Sequence, residues 1–497
     1  PCASAAAVPR PLAVVVSGSD DAGIAPAILS AAAVAGARVM DVQAAALGHH
    51  LTLAVGLDVA DAPDAEAIVG ALSMAATAVG ATVVAADAAG APVAPPALGG
   101  GGSPASPAAA AAGVVSADAD SELLSPSGDA TASTAPPPAA TYVVTLLAEE
   151  PLPTPFLAGL HELLNARGAG VRRITQLARQ PLRAMEVVVA LPATGAADGD
   201  GADDNGSGGG GNGGGDGGAR VAADTSSPAV VDLRKALYRY CRASAVDMAL
   251  QADTVYRRAK RLVVMDMDST LIRQEVIDEL ARHAGVYDAV REITDTAMEG
   301  GMDFNESLRQ RVALLAGTPA DAFDKVIANL VYTDGASVLC GSLHQLGVRL
   351  AVISGGFTTV ASHVRRELGL DYDYANTLEV GADGAFTGRT VGPVVNSQRK
   401  ADLLVAIADA EGIPMDQVVA IGDGANDLQM LSVAGLGLAF NAKPAVQDAA
   451  TFVLNQGSLA SVLYLLGYSE GEQEALAARL PSPADAAAVA TATAATA

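Results

Sequence analysis

The sequence predicts an α/β chain: a doubly wound parallel sheet in the C-terminal half, preceded by two small βαββαβ units. Three observations predict it. Apolar runs alternate with helical stretches through residues 257–470 and end in polar clusters. A strand–helix–strand–strand–helix–strand pattern over 11–86 recurs over 141–252. Two Ala/Pro/Gly/Ser-rich stretches, 87–140 and 193–228, mark where the ordered segments are interrupted.

In chain order, residues 1–10 are a low-complexity start. Strands follow at 11–18, 37–47, 51–59 and 81–86, with helices over 23–35 and 64–79. The second copy has strands at 141–150, 170–178 and 184–192, a helix over 156–167, then a helix over 230–242 and a short strand at 246–251. The stretch DGDGADDNGSGGGGNGGGDGGA thus interrupts the second copy between its third strand and second helix. Neither this insertion, the 87–140 linker nor the tail at 481–497 buries enough apolar surface to offset ordering entropy, so all three are expected to be disordered.

In the C-terminal half, the strand 261–271 (RLVVMDMDSTL) ends in Asp266 and Asp268. The strand 348–356 ends in Ser354, Gly355 and Gly356, and DQVVAIGDGANDL (416–428) ends in Asp423, Asn426 and Asp427. LGLAF and TFVL are further buried strands, and helices cover 359–368 and 400–410. Doubly wound sheets bind ligands beyond the carboxyl ends of their strands, so three strands deliver polar groups to one edge. Adjacent glycines at Ser354–Gly356 let backbone N–H groups approach an anion. The carboxylates call for a hard cation such as Mg²⁺ among oxygen ligands, and Lys400 offsets part of their charge. This set suits phosphoryl transfer through an Asp nucleophile. A calcium loop does not fit, because Ile277 stands where the bidentate Glu would be.

Composition narrows the alternatives. Against 30 Lys plus Arg stand 55 Asp plus Glu, a formal charge of −25, which excludes a general nucleic-acid or anionic-membrane binder. Hydrophobic residues make up 51% of the chain but aromatics only 3%, so much of the apolar count is Ala. No apolar run reaches the 18 residues of a membrane span. Cys2, Cys241 and Cys340 form neither a zinc pattern nor a disulfide framework, which suits a reducing compartment. The acid-free opening PCASAAAVPR fits a transit-peptide remnant as well as a low-complexity start. A soluble, non-secreted protein of plastid (chloroplast) or cytoplasm is expected.

The motifs DMDSTL, SGG, Lys400 and GDGANDL together resemble the haloacid dehalogenase-like phosphatases and, within them, the phosphoserine phosphatase family. Glu275 in DSTLIRQEVIDELA, the helical cap segment TAMEGGMDFNESLRQRVALLAG within about 274–335, and the hairpin at 375–404 extend the match. The two βαββαβ units resemble ferredoxin-like ACT domains, with a ligand-site turn at Gly18–Gly23 beside Gly36.

The resemblance implies that Asp266 is the nucleophile and Asp268 the general acid/base. Mg²⁺ would be held by Asp266, the Asp268 carbonyl and Asp423. Ser354, Gly355, Gly356, Lys400 and Asn426 would hold the phosphoryl group, with Asp427 supporting by orienting Lys400 or a metal-bound water. In the cap, Glu275 would take the substrate ammonium and Arg311 the carboxylate, while Met298 and Phe304 shield the site. The substrate would be O-phospho-L-serine. An L-serine or other amino-acid effector at the ACT-like domain and a homodimer are also implied. A related phosphatase, or a phosphotransferase with an acceptor such as homoserine, would use the same Asp266 chemistry. An amino-acid sensor with an inactive scaffold has no need of Asp266, Asp268, Ser354, Lys400 and Asp423 together.

Overall fold

The computed structural model describes residues 11–19, 23–47, 50–59, 65–87, 92–93, 139–178, 181–192, 224–298 and 302–480. The expected disordered start and tail, and most of both low-complexity stretches, lie outside the described residues, as do positions 20–22 of the proposed ligand-site turn.

Strand β1 (Pro11–Ser19) alternates buried Leu12, Val14 and Val16 with exposed Ala13 and Val15, the signature of a sheet covered on one face. It is followed by α1 (Ile24–Val34), β2 (Arg38–Leu47), β3 (His50–Asp58), α2 (Ala65–Ala78) and β4 (Thr82–Asp87). Gly23 caps α1 with φ 66° and Gly36 leaves it with φ 73°, so both serve as left-handed turn residues. The second unit runs β6 (Ala139–Leu147), α3 (Thr154–Asn165), β7 (Gly170–Gln176), β8 (Ala184–Pro192), α4 (Pro228–Arg242) and β9 (Asp247–Ala252). Between the units, β5 (Pro92–Val93) pairs antiparallel with β4, so the expected linker donates a short edge to the sheet.

Together these strands form one antiparallel sheet in the order β5-β4-β1-β3-β2-β7-β8-β6-β9. The two units meet edge to edge at β2 and β7, through Ala44 opposite Ile174 and Ala45 opposite Arg173. Thr154, at the start of α3, reinforces the seam: its hydroxyl accepts from the Val39 N–H at 3.0 Å and donates to the Ala37 carbonyl at 3.1 Å. Helices α1 to α4 contribute to one core with the inward residues of this sheet.

The units differ on the other face. β6 and β8 are buried along nearly their whole length. Leu147, Leu177, Ala184 and Ala249 share a core with residues of the C-terminal module. This covered second face is why the second copy departs from the alternating pattern of the first.

The C-terminal module is built on β10 (Leu262–Met265), β11 (Arg349–Phe357), β12 (Tyr372–Val380), β13 (Phe386–Val391), β14 (Val418–Gly422), β15 (Leu436–Phe440) and β16 (Phe452–Leu454). Their order is β13-β12-β11-β10-β14-β15-β16, parallel except for the β12–β13 hairpin. Separate apolar clusters cover the two faces. Chain order runs outward from β10 on both sides, so β10 is the switch point at which such sheets open a crevice. Between β10 and β11 lie four cap helices, α5 (Val276–Ala284), α6 (Tyr287–Met298), α7 (Phe304–Leu314) and α8 (Ala322–Ala328), then α9 (Ala336–Gln345). Helices α10 (Thr358–Leu368), α11 (Ser397–Glu411), α12 (Leu428–Val433), α13 (Pro444–Ala449) and α14 (Val462–Leu465) complete the winding. A last helix, α15 (Glu470–Ala477), extends the ordered chain past the expected boundary at 470; Ser469 and Glu472 cap it reciprocally.

Polar contacts lock the second unit to this module. Asp247 accepts from the Asn455 N–H at 2.6 Å and from the Gln456 amide at 2.7 Å. Gln251 donates to the Leu465 carbonyl at 2.8 Å, and the Glu470 N–H to the Leu177 carbonyl at 2.7 Å. Arg257 and Glu186 form a buried ion pair at 2.6 Å. Among the described residues, no helix is long and apolar enough to cross a membrane.

Candidate active site

Asp266 follows directly on β10, where its N–H still pairs with the Ile421 carbonyl of β14 at 2.9 Å. Its carboxylate Oδ1 accepts from the Met267 N–H at 2.8 Å and from Lys400 Nζ at 2.8 Å, which fixes the plane of the group. Lys400 lies in the first turn of α11 and is fully buried, with its second carboxylate partner, Asp427, at 2.7 Å. Burial alone would push the Lys400 ammonium down. Asp266 and Asp427 outweigh that and hold it above its ordinary range. Asp427 is itself fully buried and accepts the Gly424 N–H at 3.0 Å.

Asp268, two residues on, turns away from the lysine. It accepts from the Val276 N–H at 2.9 Å and from the Ser354 hydroxyl at 3.0 Å. Burial first, and Glu275 second, raise its carboxyl to about 7. Ser354, at the bulged end of β11, is fully buried and accepts from the Gly356 N–H at 2.8 Å. Gly356 has no room for a side chain, since a Cβ would lie 2.5 Å from Asp268 Oδ2. A Cβ on Gly355 would meet the Phe304 ring at 3.1 Å and the Asn426 amide at 3.7 Å, so the cap reaches down to the glycine loop.

Asp266, Asp423 and Asp427 each bring a carboxylate oxygen within 4.8 Å of the others. Burial and then Asp427 raise the Asp423 carboxyl to about 7, and burial and then Asp427 raise Asp266 well above the usual carboxylate range. One lysine does not neutralise three carboxylates, so this donor set has the charge deficit and the oxygen chemistry that a hard divalent cation satisfies.

In the cap, Arg311 Nε donates to the Ser307 carbonyl at 3.3 Å, and its guanidinium feels the charges of Glu275, Asp278 and Asp268. Glu275 precedes α5 and accepts from the Ser269 hydroxyl at 2.7 Å. Asp303 caps α7 by accepting from the Asn305 and Glu306 N–H groups, which sets the position of Phe304. The side chain of Met298 falls outside the described residues.

Three contributors escaped the sequence reading. Thr270 donates to Asp423 Oδ1 at 2.9 Å. Ser269 adopts φ 58°, left-handed for a residue with a side chain, and so aims its hydroxyl at Glu275. Asn376, on β12, touches the glycine loop. The first two lie within the DMDSTL motif itself, but nothing in the local pattern around Asn376 marks it.

Comparison with known proteins gives two family matches. Residues 263–432 match the haloacid dehalogenase-like hydrolase family, and residues 10–86 match the ACT domain family. The phosphoserine phosphatase of Streptomyces coelicolor is 43% identical over 333 residues, which is 67% of this chain and 72% of that protein. The phosphoserine phosphatase of Saccharomyces cerevisiae is 46% identical over 228 residues, 46% of this chain and 74% of that protein. Among solved structures, a haloacid dehalogenase-family hydrolase from Salmonella enterica is 24% identical, covers 66% of this chain and 98% of its own, and superposes with a TM-score of 0.50, a likeness of fold.

Proposed function

The chain belongs to the phosphoserine phosphatase family of haloacid dehalogenase-like hydrolases, and on that premise we infer how its own residues convert O-phospho-L-serine to L-serine and phosphate. The observation that carries the assignment of roles is the contrast between two carboxyls two residues apart. Asp266 bonds Lys400 Nζ at 2.8 Å, whereas Asp268 accepts from the Val276 N–H and the Ser354 hydroxyl and its carboxyl is raised to about 7. Burial raises both carboxyls, but the Lys400 contact opposes that rise at Asp266 and favours the anion a nucleophile needs, while Asp268 lacks such a contact and keeps its proton near neutrality.

A carboxylate oxygen of Asp266 attacks phosphorus, and the bond from phosphorus to the serine oxygen breaks. Asp268 gives its proton to the departing alkoxide. As a carboxylate it then takes a proton from the water that attacks the aspartyl-phosphate. The phosphorus–Asp266 bond breaks, releasing phosphate and restoring both groups. Ser354, the Gly355 N–H, Lys400 and Asn426 hold the phosphoryl oxygens, Gly356 holds the Ser354 hydroxyl through its own N–H, and Asp427 orients Lys400. Asp266 and Asp423, with the Asp268 carbonyl, would hold Mg²⁺, which when bound offsets repulsion between the Asp266 carboxylate and the phosphate dianion. Glu275 pairs with the substrate ammonium and Arg311 with its carboxylate, under Phe304.

The test is phosphate release from L-phosphoserine, with Mg²⁺ and then with EDTA, beside phosphothreonine and an aryl phosphate. Fast, metal-dependent release favouring phosphoserine is expected, with turnover lost in Asp268→Asn by at least about a hundredfold. Full turnover in that variant would remove the acid/base assignment. Release from the aryl phosphate alone would remove Glu275 and Arg311 as readers of serine.

A further inference from the structure

The phosphate-holding loop is a defect in its own sheet. β11 and β12 pair in register through Ile353 opposite Tyr374, and pairing resumes only at Phe357 opposite Asn376. Four steps on one strand match two on the other, so Ser354, Gly355 and Gly356 are looped out of the ladder. The looped backbone must find hydrogen-bond partners elsewhere.

Asn376 supplies one. Its side chain is 2% exposed, so both ends of the amide need partners. Nδ2 donates to the Gly355 carbonyl at 2.8 Å, and Oδ1 accepts from the Val395 N–H at 2.8 Å. A carbonyl on one side and an N–H on the other permit only this orientation of the amide. The residue is also held from behind, since Thr358 donates to its backbone carbonyl at 2.9 Å.

Both contacts lead into the site. A trans peptide points its C=O and N–H in opposite directions. Drawing the Gly355 carbonyl toward Asn376 therefore aims the Gly356 N–H away from it, onto Ser354 Oγ at 2.8 Å. Ser354 in turn donates to Asp268 at 3.0 Å. On the other side, Val395 precedes Asn396, which caps α11 by accepting from the Arg399 N–H at 3.0 Å and whose carbonyl accepts from the Lys400 N–H at 2.9 Å. The Asn396 amide also donates to Asn305 of the cap at 3.1 Å.

We propose that Asn376 is a positioning residue for phosphate: its one buried amide clamps the Gly355–Gly356 peptide to the loop at Val395 that leads into the Lys400 helix, setting the spacing between the backbone and lysine halves of the phosphate cradle. The proposal rests on the phosphatase reading above.

The test compares wild type with Asn376→Asp, which keeps the shape and the acceptor for Val395 but turns an oxygen on the Gly355 carbonyl. Asn376→Ser serves as a second variant, and the measurements are made on whichever folds with the wild-type melting transition. The KM for phosphoserine and the competitive inhibition constant of inorganic phosphate are expected to rise together, by about tenfold, the loss of one hydrogen bond's hold. A merely structural role would reduce the amount of active enzyme, and hence apparent kcat, while leaving both constants at wild-type values. That result overturns the proposal. If wild type itself does not hydrolyse phosphoserine, the phosphatase reading fails, separately from the role of Asn376.

Discussion

Lys400 and Lys260 are both buried, and their surroundings push them in opposite directions. Lys400 meets two carboxylates and is held charged. Lys260 donates to the Asp416 carbonyl at 2.6 Å, and burial, only partly opposed by the Asp416 charge, lowers its ammonium to about 8. Between pH 8 and the ordinary lysine range near 10.5, the unfolded chain binds more protons at this residue than the folded one does. The contribution of Lys260 to stability must then rise with pH across that window, by up to about 3 kcal/mol over its full span. Below pH 8 the penalty of burying the charge is fully present. Denaturation midpoints at pH 7.5 and 9.5 should show wild type gaining on Lys260→Met at the higher value; parallel curves would mean that the ammonium is solvated in the folded state. Asp266, Asp268, Ser354, Lys400, Asp423 and Asp427 were readable because each stands at a strand end or a helix start within a short motif. Asn376 was not: its importance comes from a register shift in a neighbouring strand, which leaves no trace in the residues around it.

At the scale of elements, the cap joins helices of different tasks. α7 carries Phe304 at its start and Arg311 near its end, so one helix both closes on Gly355 and presents a guanidinium among acids. Arg311→Ala should raise the KM for phosphoserine by about ten- to a hundredfold, as expected for a lost charge-assisted hydrogen bond. Hydrolysis of an aryl phosphate, which has no amino-acid carboxylate, should change by less than about twofold if the guanidinium reads only that group. Equal losses on both substrates would make Arg311 a structural part of the cap. Most strands and helices were legible from period and punctuation. α15 was passed over because its apolar face is short, although Ser469 and Glu472 spell out its start. β5 lay hidden in the Ala/Pro-rich stretch because two residues are too few to show a period.

Across the whole molecule, the repeat was legible and its asymmetry was not. Both copies have the same element order, but among the described residues only the second is covered on both sheet faces, and sequence spacing cannot say what lies against a strand. Asp247 is the polar centre of that contact. Replacing it with Ala strands the Asn455 and Gln456 donors in the interface, at about 1–3 kcal/mol. Calorimetry should then show two melting transitions where wild type, with the junction intact, is expected to show one. A single transition at the wild-type temperature would show the junction held by its apolar contacts alone. The amino-acid effector is tested at this scale too: titrating the full chain with L-serine to millimolar concentration should release heat if the paired units bind it. The shared core also has a practical side for anyone handling the gene. A fragment begun near residue 257 would encode every group proposed to hold phosphate, yet it would leave the protein with a bare oily wall where Leu147, Leu177, Ala184 and Ala249 had rested. Such a fragment should be sticky and short-lived in solution, whereas one begun near residue 139 carries its own lining.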